Sequence, residues 1–272
     1  MTNGFADRVL GAVADRGPLC VGIDPHAPLL AQWGLTDDAA GVREFGLRVV
    51  EAAAGHVAVV KPQVAFFERH GSAGYAALEE VLAAAREAGL LVIADAKRGD
   101  VGSTVDAYGE AWLTPGGSLE ADAMTAVAYQ GFGSLDGVLA RAEAADKGVF
   151  VLAATSNPES AQIQAQRDAA GQTIAASIVR QAAERSGTVG VVVGATVSFS
   201  DLGLSPEQLQ DLIILAPGFG TQGAVLSDGP ALFGSAIGGV LASVSRSILE
   251  AGPDGIAAAI ARANLEVSTW AT

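Results

Sequence analysis

Short aliphatic runs recur along the chain with polar, helix-like stretches between them: LCVGID at 19–24, VAVVK at 57–61, LLVIAD at 90–95, AMTAVA at 123–128, VFVLAA at 149–154, VGVVVG at 189–194, LIILAP at 212–217 and GVLASV at 239–244. Each is too short for a helix and apolar almost throughout, the pattern of a strand buried on both faces. The roughly 20–40 residues between them leave room for a crossover helix each time. SAGYAALEEVLAAAREAG at 72–89 fills one such gap: Ser72 is placed to cap, Tyr75, Leu78, Val81, Leu82 and Ala85 form a stripe at helical spacing, and Gly89 ends the helix. TIAASIVRQAAERS at 173–186 reads as another helix of this kind.

Eight βα units with no linker or low-complexity tract predict a (β/α)8 TIM barrel, with residues 1–272 forming a single domain. The structural alternative is a doubly wound sheet, whose dinucleotide fingerprint would be GxGxxG after the first strand; GIDPHA stands there instead.

Composition narrows the chemistry. Half of the chain is hydrophobic and only 6% aromatic, as in a compact soluble α/β protein packed with small side chains. No apolar run reaches the roughly 18 residues of a membrane span, and MTNGFADRVLGAVADRG at the N-terminus lacks the basic region of a signal peptide, so a cytoplasmic location is expected. Cys20 is the only cysteine, which excludes an intramolecular disulfide and multi-cysteine zinc and makes it buried filler. The net charge of −14 without a Lys/Arg-rich block argues against nucleic acid and anionic membrane as partners. A small anion can still bind where a few cations converge, because charge beyond the Debye length of about 8 Å is screened.

Barrel chemistry sits at the C-terminal ends of the strands, and here those ends are polar. The runs close on Asp24, Lys61, Asp95 with Lys97, Thr155 with Ser156, the loop APGFGTQG at 216–223, and Ser245 with Arg246. Within DAKRGDVGSTVD at 95–106, period-two geometry puts Asp95 and Lys97 on one face and Ala96 on the other. A solvated turn is the plain alternative, but Lys61 on the neighbouring strand points at the same mouth. Lys61 and Lys97 among Asp95, Asp100 and Asp24 would form an alternating charge array, each contact worth up to about 4 kcal/mol at 4 Å and an effective dielectric near 20. Such an array favours a protonated Lys97, suited to donate a proton or stabilise negative charge and not to form a Schiff base.

The second constellation suits an anion such as phosphate. Pro217, Gly218 and Gly220 belong to a loop whose backbone N–H groups can approach a ligand closely, Gln222 adds a side-chain donor, and Arg246 a bidentate guanidinium. These follow the seventh and eighth strands, where barrels commonly hold phosphate. His56 and His70 share no metal-ligand spacing and read as surface residues in loops; His26 lies at the mouth without an evident partner. Ser156 lacks a G-x-S-x-G elbow and reads as a hydrogen-bonding residue. Arg98 and Asp106 read as ordinary surface or loop charges.

GIDPH (22–26), VVKPQVAFFE (59–68), DAKRGDVGSTVDAYG (95–109), TSNPES (155–160), APGFGTQG (216–223) and SRSIL (245–249), in this order, resemble the longer bacterial form of the orotidine 5′-phosphate decarboxylase family. The resemblance covers nearly the whole chain; a longer segment at 224–238 departs from it. It implies a (β/α)8-barrel homodimer that converts orotidine 5′-phosphate to uridine 5′-phosphate and CO2, in pyrimidine biosynthesis, without metal or organic cofactor. It implies Lys61, Asp95, Lys97 and Asp100 as the catalytic array with Lys97 the proton donor. Asp24 and Lys61 would hold ribose hydroxyls, Ser156 the pyrimidine, and Gln222 with Arg246 the phosphate, while Asp100 and Thr104 would reach into the partner's site. Two rivals remain: a Mg2+-dependent sugar-phosphate decarboxylase or aldolase on the related barrel, which has an acidic ligand where Lys61 stands, and a catalytically silent nucleotide-binding barrel.

Overall fold

The structure is a computed structural model and describes residues 4–271. Eight parallel strands, β1 (Leu19–Ile23), β2 (Val59–Pro62), β3 (Leu91–Arg98), β4 (Ala123–Ala126), β5 (Gly148–Ala154), β6 (Val189–Val193), β7 (Ile214–Pro217) and β8 (Val240–Val244), close into a barrel in sequence order, with β8 paired back onto β1. Closure excludes the doubly wound alternative. The unbroken apolar runs are explained by two separate burials. Val92, Ala94 and Ala96 of β3, like Val21 of β1 and Val191 of β6, join the large core between strands and helices. The intervening Cys20, Val59, Ile93, Phe150, Val192, Leu215 and Leu241 form a second cluster in the barrel interior. Cys20 is the buried filler expected, and burial pushes its thiol up to about 12.

The interior cluster is closed at the N-terminal end of the barrel by the helix Phe5–Arg16. Phe5 and Val9 join the cluster, Phe5 edge-on to Phe150 with ring centroids 5.9 Å apart. A Cβ at residue 148 would sit 2.2 Å from the Phe5 ring, so Gly148 is what lets the ring in. Arg8 pins the helix, donating to Asp122 Oδ1 at 2.9 Å and to the Asp146 carbonyl at 2.7 Å.

The helix foreseen at 72–89 runs Gly71–Glu87 and buries Leu78, Val81, Leu82 and Ala85, with Tyr75 partly buried; Gly89 at φ 71° follows its end. Ser72 is not its cap: the preceding helix Val64–Glu68 leads almost directly into it, and His70 takes the N-cap position. The helix at 173–186 spans Ile174–Ala183, and Thr173 caps it by accepting from the Ala176 amide. β3 runs three residues past its expected end because Arg98 pairs with Ala126 of β4. Segment 224–238 folds as a turn of 3-10 helix (Leu226–Asp228), a short helix (Gly229–Phe233) and the 3-10 stretch Gly234–Gly239. It packs against the C-terminal helix Gly252–Val267 and the turn that follows it: Phe233 is fully buried, and the Trp270 indole donates to the Leu226 carbonyl at 2.8 Å. Among the described residues, no helix is long and apolar enough to cross a membrane.

Candidate active site

A cavity of about 550 Å³ opens at the C-terminal mouth of the barrel. Asp24, Lys61, Asp95 and Lys97 line one side; Ser156, Pro217, Gly218, Gln222 and Arg246 line the other. The array forms because inward positions of adjacent strands share levels. Lys61 pairs in register with Gly22, and a bridge joins Gln63 to Asp95. Lys61 Nζ lies 2.8 Å from Asp95 Oδ2 and 3.9 Å from Asp24 Oδ1. Lys97 Nζ lies 2.6 Å from Asp95 Oδ1 and 3.2 Å from Gln63 Oε1.

Burial works against all three charges of this cluster, and neighbouring charges overcome it at Asp95 and Lys61. Burial would raise the Asp95 carboxyl, but Lys61 and Lys97 hold it well below the usual carboxylate range. Burial would lower the Lys61 amine, but Asp95 and Asp24 hold it above its ordinary value. Lys97 departs from expectation. Burial, joined by the like charge of Lys61, outweighs Asp95 and shifts its amine downwards. Asp100 is not in its own chain's mouth. It is half-buried, with Oδ1 accepting from the Val101 amide at 2.9 Å, and Thr104 is exposed on the following helix Gly102–Leu113. Neither lines the cavity.

On the opposite side, the Ser156 hydroxyl donates to Gln222 Oε1 at 3.1 Å, which leaves the Gln222 amide hydrogens as donors. Arg246, exposed at the end of β8, makes no ion pair among the described residues. The loop is more self-contained than expected. The Gly220 amide donates to the Ala224 carbonyl, and the Gly223 amide to the Gly220 carbonyl, both at 2.9 Å. Gly220, at φ 80°, presents its Cα to Ser247, whose Oγ would lie 2.5 Å from a Cβ there. Gly220 therefore lines a second cavity of about 290 Å³ behind the loop and not the first. Thr221 and Gln222, whose amides make no backbone bond among the described residues, line the main cavity.

Two side chains at the charge array, Gln63 and Thr125, are not among the sequence candidates. Gln63, two residues after Lys61 and so on the same strand face, was readable from the period-two rule. Thr125 is the one polar side chain in AMTA of β4; it is buried at 1% exposure, and its hydroxyl donates to Asp95 Oδ1 at 2.9 Å. His26 does have a partner, the Phe66 ring at 5.5 Å, and burial lowers its pKa. His70 is largely buried, 3.5 Å from Asp37, while His56 is exposed as expected. Arg98 is no loop charge: it donates to Glu68 Oε1 at 2.9 Å and to the Ala96 carbonyl at 2.9 Å and lies over the Tyr108 ring. Asp106 packs its carboxylate against Gly137.

Fold and mouth define a (β/α)8 barrel in which two lysines and two carboxylates face a glycine-rich loop and an unpaired arginine across one cavity. Residues 17–261 match the model of the orotidine 5′-phosphate decarboxylase / HUMPS family. The chain is 49% identical over 265 residues to orotidine 5′-phosphate decarboxylase of Corynebacterium efficiens, covering 93% of this chain and 92% of the relative. It is 50% identical over 256 residues to that of Salinispora arenicola, covering 92% and 91%. Among solved structures it is similar to a Streptomyces avermitilis chain with a TM-score of 0.94 at 45% identity, covering 98% of this chain and 96% of that one. It is also similar to Leishmania donovani OMP decarboxylase, with a TM-score of 0.76 at 31% identity, covering 98% of each. The chain belongs to the orotidine 5′-phosphate decarboxylase / HUMPS family.

Proposed function

We propose that this chain, acting as one domain and as a homodimer, decarboxylates orotidine 5′-phosphate to uridine 5′-phosphate and CO2, and that Lys97 protonates C6. The observation that carries the reading is the Lys61–Asp95–Lys97 chain of charge, held at 2.8 and 2.6 Å, facing across one cavity an arginine that has no carboxylate partner among the described residues. Breaking the bond from C6 to the carboxylate leaves the electron pair on C6, where no carbonyl or imine can delocalise it. Stabilisation is then electrostatic, and enzymes supply roughly 8–23 kcal/mol or more against such barriers. The Lys97 ammonium faces that charge and gives its proton to C6, so substrate plus one proton becomes product plus CO2.

Asp24 suits a ribose hydroxyl. Its Oδ2 accepts from Ser245, but its buried Oδ1 has no hydrogen-bond partner, and a ligand donor would satisfy it. Ser156 is placed for the pyrimidine, and Gln222 and Arg246 for the phosphate. Asp100, which lies outside its own chain's mouth, suits the shared site: in a homodimer its carboxylate would stand beside the Lys97 ammonium of the second subunit.

Purified protein is expected to deplete the ultraviolet absorbance of orotidine 5′-phosphate with no added cofactor and in the presence of EDTA. No turnover at enzyme concentrations near that of substrate overturns the reading. Loss on EDTA with recovery on Mg2+ favours the metal-dependent relatives, although the Lys61 ammonium between Asp24 and Asp95 stands where a divalent cation would sit. Arg246→Ala should lower kcat/KM roughly 100-fold or more, since a bidentate charged contact is worth about 3 kcal/mol. Steady-state kinetics checks this; a change under about fivefold removes Arg246 from the phosphate site.

A further inference from the structure

β3 and β4 fall out of step where the charged residues stand. Ala94 pairs with Met124 and Arg98 with Ala126, so residues 95–97 of β3 face the single residue Thr125. Such a bulge takes amides off the ladder and bends the strand. Here it leaves Lys97 in the left-handed region at φ 48°, a conformation that a lysine adopts only when its surroundings enforce it. Its amide still needs an acceptor. Thr125 provides one: Oγ1 accepts from the Lys97 N–H at 2.9 Å and donates its own proton to Asp95 Oδ1, also at 2.9 Å. Both directions are fixed, because an amide N–H only donates and an ionised carboxylate only accepts. At 1% exposure, Thr125 meets no water that could replace it.

We propose that Thr125 is a positioning residue, whose one hydroxyl ties the Asp95 carboxylate to the backbone of Lys97 and so sets where the Lys97 ammonium points. The inference rests on Lys97 being the proton donor. The Lys97 side chain is 43% exposed and has four rotatable bonds. What directs it to Asp95 is the angle at which its backbone leaves the bulge, and Thr125 holds that angle. A valine of the same shape fills the space but can neither accept from the amide nor donate to the carboxylate.

The test compares Thr125→Val, Thr125→Ala and Thr125→Ser by steady-state kinetics, by uridine 5′-phosphate titration, and by hydrogen exchange of the Lys97 amide. Val and Ala should lose roughly 10- to 100-fold in kcat, as misplacement by about an ångström does, with KM and nucleotide affinity within about threefold. Ser, which differs from Ala only by the hydroxyl, should stay within about threefold of the parent in kcat, and only Val and Ala should expose the Lys97 amide, by about tenfold or more in exchange rate. Four results overturn the proposal: Ser falling as far as Ala, Val and Ala keeping kcat within about twofold, KM rising as kcat falls, or Val and Ala failing to fold where Ser folds. If the parent protein itself does not turn over orotidine 5′-phosphate, the decarboxylase reading fails, and amide exchange still reports whether the tie exists.

Discussion

Lys97→Ala is expected to lower kcat by at least roughly 10⁴-fold, because on the proposed mechanism it removes both the proton donor and the charge facing C6, effects worth about 10²–10⁴ and 10²–10³ in other enzymes. Affinity for uridine 5′-phosphate should change by less than about tenfold, since phosphate and ribose contacts come from other strands. Removing the cation also relieves Asp95 of only one of its two lysines: Lys61 remains 2.8 Å away and keeps the carboxylate ionised. Lys97→Arg should not rescue, because the longer, planar guanidinium fork cannot place an N–H where the compact Lys97 ammonium sits against Asp95. Rapid-quench or absorbance kinetics at high enzyme concentration measures the residue of activity. Turnover within about a hundredfold of the parent would remove Lys97 from the chemistry.

The second large effect concerns Asp100. Asp100→Ala alone should lose roughly 10²–10³-fold in kcat/KM if, as proposed, its fixed charge completes the array around Lys97. Mixing it with Lys97→Ala separates two explanations of that loss. If Asp100 serves the neighbouring subunit, each heterodimer regains one whole site, with an intact Lys97 from one chain and an intact Asp100 from the other. Random exchange of equal amounts then restores about a quarter of the parent activity. If Asp100 serves its own chain, no site in the mixture is whole and activity stays at the mean of the two variants. Native mass spectrometry of the mixture confirms that subunits have exchanged, so that silence is informative.

Strand positions and the polar residues that close them were legible because a strand buried on both faces leaves an unbroken apolar run, and a charge at its end is conspicuous against that background. Asp95 and Lys61 were therefore readable as neighbours. What escaped were features decided by pairing between strands. The bulge that sets Lys97 apart depends on how β3 meets β4, which neither strand's own sequence displays, and so the role of Thr125 was hidden inside an apolar run. Gly220 looked like an anion donor until the loop folded and its amide found the Ala224 carbonyl. Arg98 looked like a loop charge because β3 was expected to end at Asp95; once the strand continues, its guanidinium reaches Glu68 and Tyr108. The downward shift of Lys97 was hidden for a different reason: it follows from how deeply the amine is buried beside Lys61, which residue spacing does not display.

The N-terminal helix wedged under the barrel has a consequence for traffic. With Phe5 and Val9 packed into the interior beneath Phe150, the floor is filled among the described residues, and the cavity opens at the mouth that carries the charges. CO2 set free beneath a seated nucleotide thus has no back door. On the proposed mechanism the newborn carbanion can recapture it while it lingers, and prompt quenching by the Lys97 ammonium would make the bond cleavage irreversible.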